Sequence, residues 1–288
     1  MKIWTTAFYV AFGLCVGNSS SIANAQPKLI SDAAPQCVFS GQSRNIAVVW
    51  RNPSDAIIGA EISARILQTS SATTAQLSET PWKRLQVLPE QTVVESAQLD
   101  FPAVKAETKF LVQWLENTNR VIGKTEVLVY PTNLLAELKP LVGDEPLGAF
   151  DPQNQLKPLL KNLKIDFVNL ENSDLENFSG KLAIIGPFQS KARIREGLAN
   201  QIQALANKGT AIVWIQPPPE PSPIRWDKEK LQPSFYSVPE NTNAVVIVQP
   251  DLVSDLAGNP QSQLNLIYFS KLALHPQPTA LPDLPPQP

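Results

Sequence analysis

Residues 210–221 read "TAIVWIQPPPEP". Thr210 to Ile215 make a continuous apolar run of strand length, and such runs mark strands covered on both faces of a sheet. Gln216 and three prolines then stop it, because proline has no amide to give to a ladder. In an open α/β sheet, ligands and catalytic groups collect outside the carboxyl ends of the strands. The segment after Ile215 is therefore where a site belongs, and it offers no cysteine and no glycine turn.

The flanking sequence repeats this grammar. "PLGAFD" (146–151), "DFVNL" (166–170), "KLAIIGPF" (181–188) and "NAVVIVQP" (243–250) are short apolar strands. Helical patterns run between them. "QNQLKPLLKNLKI" (153–165) places Leu156, Leu159, Leu160 and Leu163 at three- and four-residue steps despite Pro158. "KARIREGLANQIQALANKG" (191–209) does the same with Ile194, Leu198, Ile202 and Leu205, and Gly209 sits where a helix stops. A last helical stretch surrounds "LNLIYFSKLAL" (264–274). Alternating strands and helices predict a small doubly wound, flavodoxin-like α/β domain over residues 133–274.

Residues 26–132 obey a different period. "AEISARILQ" alternates Ile62, Ala64 and Ile66 with Glu61, Ser63 and Arg65, which gives a strand one wet face. "RNIAVVWRNPSD" ends in an Asn-Pro-Ser-Asp turn cluster. "WKRLQVLP", "QTVVESAQLDFPAV", "TKFLVQWLEN" and "VIGKTEVLVYP" supply further strands. About seven short strands without a good helix predict an antiparallel β-sandwich.

Two resemblances accompany these patterns. "LQVLPEQTVVESAQLDFPAV" followed by "TKFLVQWLENTNRVIGKTEVLVYP" resembles the immunoglobulin-like sandwiches that accompany secreted glycosidases and cell-surface proteins. Residues 146–274, with "LANKGTAIVWIQ" at their centre, resemble the class I glutamine amidotransferase-like domains. Active members of that family place a cysteine in a glycine-flanked turn after this strand and add a His–Glu pair near the C-terminus. Here the turn is Gln216-Pro217-Pro218-Pro219, and the single histidine, His275, stands in "HPQP". The resemblance thus implies the fold without the Cys-His-Glu triad, and no catalytic residue is carried over.

The remaining composition bounds compartment and partners. Lys2, an apolar run from Ile3 to about Gly17 and an Ala23-Asn24-Ala25 ending match a secretory leader cleaved after Ala25. The run is too short for a membrane span, which takes about 20 residues, and Leu14 before Cys15 departs from a lipoprotein cleavage motif. Periplasmic or extracellular localisation is the expectation. Beyond Ala25 only Cys37 remains, so no internal disulfide is available, and its strand-like context predicts a buried thiol. Lys and Arg total 24 against 26 Asp and Glu, with no basic run, which gives no footprint for nucleic acid. The tail "HPQPTALPDLPPQP" (275–288) carries six prolines and is expected to be an extended, disordered arm.

One His and one Cys in different halves speak against a zinc cluster, and the acidic stretch with Glu171, Asp174 and Glu176 lacks calcium-loop spacing. No phosphate-binding glycine loop occurs, so no cofactor is expected. Ser190 reads as a helix cap. Asp151, at the carboxyl end of a strand, is the carboxylate a hydrolase would use, while Asp before Pro is also an ordinary helix-start residue. Trp82, Trp226, Phe235 and Tyr236 fall in or near loops, where exposed rings suit sugars or protein partners. The candidate binding surface is thus Trp226, Phe235, Tyr236, Gln216 and Asp151. The expected role is non-catalytic contact with another envelope or secreted protein; a carbohydrate-binding module or a hydrolase is the alternative.

Overall fold

A computed structural model describes residues 28–30, 35–41, 43–70, 72–117, 120–171, 175–188, 196–216, 234–237 and 244–276. Residues 1–27, which include the expected leader, Asp174, Ser190, Ile194, Trp226 and the tail beyond Pro276 lie outside them.

The first half holds eight strands: β1 (Lys28–Ile30), β2 (Gln36–Phe39), β3 (Ser43–Arg51), β4 (Ile58–Thr69), β5 (Thr74–Val87), β6 (Thr92–Asp100), β7 (Thr108–Glu116) and β8 (Arg120–Tyr130). They form a three-stranded sheet, β1-β3-β6, and a five-stranded sheet, β2-β8-β7-β4-β5. Alternation places Ile46, Val48 and Trp50 of β3 inward against Ile62, Ala64 and Ile66 of β4 and Phe110, Val112 and Trp114 of β7. The outward positions of the larger sheet carry ion pairs such as Arg65–Glu79 at 2.8 Å. The strands are not uniformly short: β4 and β5 run for 12 and 14 residues.

The second half holds β9 (Leu147–Phe150), β10 (Phe167–Asn169), β11 (Leu182–Ile185), β12 (Ala211–Ile215), β13 (Ser234–Ser237) and β14 (Ala244–Val248) in one sheet ordered β10-β9-β11-β12-β14-β13. The helices are α1 (Leu138–Val142), α2 (Lys157–Asn162), α3 (Leu198–Asn207) and α4 (Pro260–Leu274). All four residues of β9 and of β11 are buried, which explains their unbroken apolar runs. One face packs on α4, α2 and α1, the other on α3 and on Leu170, Leu175 and Phe178.

This arrangement corrects the expected pairing of an all-β immunoglobulin-like sandwich with a doubly wound, flavodoxin-like domain. In the first half β2 runs parallel to β8, so the five-stranded sheet is not purely antiparallel. In the second half β13 runs antiparallel to β14, so the sheet is mixed. Helices are few. Between β10 and β11 the described residues contain only a 3-10 turn, Leu175–Asn177. Of the expected 153–165 helix only six residues wind, and Lys164, at φ 54°, has left the helical region. Within the 191–209 pattern the described residues hold a ten-residue helix that starts after Gly197, whose φ of 79° is left-handed. Periodicity reports which residues are buried; it does not report how strands pair or how far a helix runs.

The two halves share a core. Phe39 and Tyr130, from β2 and β8, are buried in the same cluster as Leu134, Leu135, Leu138 and the inner residues of α4. Lys271 of α4 also pairs with Glu137 at 2.9 Å. Among the described residues no helix is long and apolar enough to cross a membrane.

Candidate functional site

The carboxyl edge of the six-stranded sheet is where the sequence places a site. Asp151 follows β9 and is 0% exposed, so it is not part of a binding surface. Its carboxylate accepts from the backbone N–H groups of Gln155 (3.1 Å), Leu156 (2.8 Å) and Lys157 (2.9 Å). These are the donors that the first turn of a helix leaves without intrahelical partners. Asp151 thus closes the start of α2 in the manner of a capping residue. Its own N–H donates to Glu171 Oε1 at 2.8 Å, and Lys157 Nζ donates to the same oxygen at 2.8 Å. A carboxylate held by three amides and sealed from solvent has no access to a substrate.

Gln216 follows β12 and is half-buried; its N–H donates to the Val248 carbonyl at 2.9 Å, which extends the ladder by one residue. Between Asp151 and Gln216 the chain leaves β11 through Gly186, whose φ is 101°. A Cβ there would come within 2.5 Å of the Ile215 carbonyl oxygen, so only glycine lets the two strand ends close together. Phe235 and Tyr236 lie on the edge strand β13, paired with Val246 and Val245, rather than in a loop. The carboxyl edge therefore carries Asp151 and Gln216, which follow β9 and β12, whereas Phe235 and Tyr236 pair with β14 short of its end at Val248.

Trp82 is also not a loop residue. β5 pairs with β4 so that Lys83 faces Ile62 and Pro81 faces Ser63, which leaves Trp82 as the extra residue of a β-bulge. The bulge turns its ring toward the sandwich interior, 5.3 Å from the ring of Trp114, with Lys83 Nζ 5.5 Å from its centroid. Lys83 in turn pairs with Glu95 of the facing sheet at 2.8 Å. Beside this bulge lies a pocket of about 260 Å³ lined by Glu61, Ser63, Pro81, Trp82, Arg84 and Asn117, among others. The sequence puts Trp82 in or near a loop; only cross-strand register reveals the bulge.

A second cleft, of about 430 Å³, opens at the amino ends of β11 and β12, opposite the expected edge. Glu145, Ser179, Lys181 and Lys208 line it, and Lys181 pairs with Glu145 at 3.2 Å. Among the described residues no group of three or more His, Cys, Asp or Glu side chains is placed to hold a metal ion. Cys37 is half-buried on β2; burial first, and then the Glu107 carboxylate, raise its thiol above the ordinary value. Tyr130 is raised as well, by burial first, then by the hydrogen bond and the charge of Glu107.

No family profile matches the chain, and no curated protein matches it. Solved structures resemble parts of it. A Pseudomonas fluorescens alkylpurine DNA glycosylase, AlkC, superposes with a TM-score of 0.30 at 14% identity, over 37% of this chain and 31% of that one. A Listeria innocua β-glucosidase gives 0.28 at 14% identity, over 36% and 16%. A Bifidobacterium adolescentis GH3 β-glucosidase gives 0.27 at 9%, over 36% and 17%. The chain thus spans about a third or less of each, and likenesses this slight transfer neither a fold nor an activity. They lend no support to an immunoglobulin-like or an amidotransferase-like assignment.

Proposed function

We propose that this chain is an exported, non-catalytic protein that binds another envelope or secreted protein. The supporting observation is an apolar tip on the first half. Ile57 and Leu88 are 55% and 50% exposed and stand next to the paired residues Ile58 and Val87 at one end of the larger sheet. The loops that carry them are held firmly. The fully buried Asn52 side chain donates to the carbonyls of Ala56, Val87 and Leu88, and its oxygen accepts from the Ser54 N–H. Val94, near the start of β6 on the smaller sheet, is 71% exposed as well. Large apolar side chains on a pre-organised loop suit a protein partner, because little ordering entropy is lost on docking.

The test is affinity capture from an envelope extract with the wild type and with the double variant Ile57→Asp/Leu88→Asp. The reading requires a stoichiometric protein that the wild type retains and the double variant loses. Retention of glycan alone, or of the same proteins by both, would sink it. Export is tested separately, by N-terminal sequencing of the protein produced in its own cell; the expected first residue is Gln26.

A further inference from the structure

We propose that the free edge of β6 takes up one extended strand from the protein partner inferred above. The inference rests on that reading and names the form of the contact. In an antiparallel ladder the N–H and C=O of one residue point to the same side, and the side alternates along the strand. β3 and β6 pair without a break from Ser43 with Asp100 to Arg51 with Thr92. One pair further, the Asn52 N–H donates to the Gln91 carbonyl at 3.0 Å. Ala47, opposite Ser96, turns its N–H and C=O away from β6, to the Gln36 side chain at 3.1 and 2.9 Å. Both observations set the same phase. Val93, Glu95 and Ala97 bond to β3, whereas Val94, Ser96 and Gln98 aim their backbone groups out of the sheet. Among the described residues no strand pairs with that edge.

Long, flat, unpaired edges invite strand addition, and proteins blunt them with prolines, bulges or covering groups. β5, the free edge of the larger sheet, carries Pro81 and two register shifts. β3 is closed on its other side by β1 and, beyond β1, by the Gln36 amide. β6 has neither a proline nor a register shift. Because β1 rests on β8, the three-stranded sheet leaves about 10 Å of the five-stranded one unmatched on the β6 side. That ledge seats one strand, whereas a second copy of the chain would bring its own larger sheet into the same space. An incoming strand continues the core side of β6, where Ala97 and Leu99 are buried, so its inward side chains are apolar. Glu95 is engaged by Lys83 at 2.8 Å and Asp100 by Ser43, which favours an uncharged strand.

The experiment is fluorescence anisotropy of the full chain with a labelled peptide of the β6 sequence, TVVESAQLD. Laid antiparallel about Ser96, this probe sets Glu95 opposite Ala97 and Asp100 opposite Thr92, so like charges never meet. One form is N-methylated at its Val93, Glu95 and Ala97 amides, which point away from the chain and would otherwise seed fibres. The other is N-methylated at Val94, Ser96 and Gln98, the amides that face β6. The first form is expected to bind with a Kd on the order of 0.1 mM, and the second about tenfold or more weakly. Ser96→Pro, at an exposed position whose N–H points outward, should weaken the first form by the same factor. The pair of probes keeps the test valid even if that variant folds poorly. No saturable binding, or equal binding of the two forms, would overturn the assignment. So would a dimer of the full chain in light scattering that Ser96→Pro dissociates, because the occupant would then be a second copy. The Ile57→Asp/Leu88→Asp variant must bind the first form unchanged. Loss of probe binding thus counts against the β6 edge, whereas unchanged capture by that variant from the envelope extract counts against the protein-contact reading.

Discussion

The two halves of the molecule solve the same burial problem in opposite ways. β3 alternates exposed and buried residues along its length, whereas β9 and β11 are buried at every position. In the first half one sheet face stays wet, and charged groups such as Glu61 and Arg84 stand exposed on it. In the second half helices and loops cover both faces, so polar groups survive only at strand ends. There Asp151 is turned inward to serve the backbone. Position in the topology says where a site can be; hydrogen-bond demand decides whether the residue is available.

The comparison is tested most severely through the buried cores. Trp114 is fully buried, and its Nε1–H donates to Thr125 Oγ1 at 3.0 Å. Trp114→Ala should destabilise the protein by about 3–5 kcal/mol. Because Phe39 and Tyr130 belong to the core of the second half, urea unfolding should stay a single transition for probes in either half. Two separated transitions would mean that the halves fold independently.

A smaller loss is expected at the carboxyl edge. Asp151→Ala leaves three amides without their acceptor and should cost about 1–3 kcal/mol, with Asp151→Asn costing less because one acceptor oxygen remains. A null result in denaturant titration would show that α2 does not depend on this cap. The junction supplies a pH effect. Tyr130 ordinarily ionises near 10.0 and is raised in the folded state. The unfolded chain therefore releases its proton first, and stability should fall as pH rises above about 10. Tyr130→Phe should flatten that decline in unfolding curves measured from pH 8 to 11, whereas an identical slope would place the effect on other groups. The smallest effect belongs to the wet face. Arg65→Ala removes a partly exposed ion pair and should cost no more than about 1 kcal/mol, less at high salt.

Much of this protein follows from its sequence alone. Two-residue and continuous apolar patterns located most strands of both halves, though not β1 or β13, because burial on one face or two leaves a local trace at fixed spacing. The change of grammar after Tyr130, where β8 gives way to the helical turn at Leu134–Glu137, is legible for the same reason. The tertiary structure decided what depends on distant partners. The parallel seat of β2 beside β8, the antiparallel β13 and the bulge at Trp82 are matters of register between strands far apart in sequence. The burial of Asp151 depends on where α2 and Glu171 come to rest around it. Side-chain period is a property of the chain; register, and with it the bulge at Trp82 and the burial of Asp151, is a property of the fold.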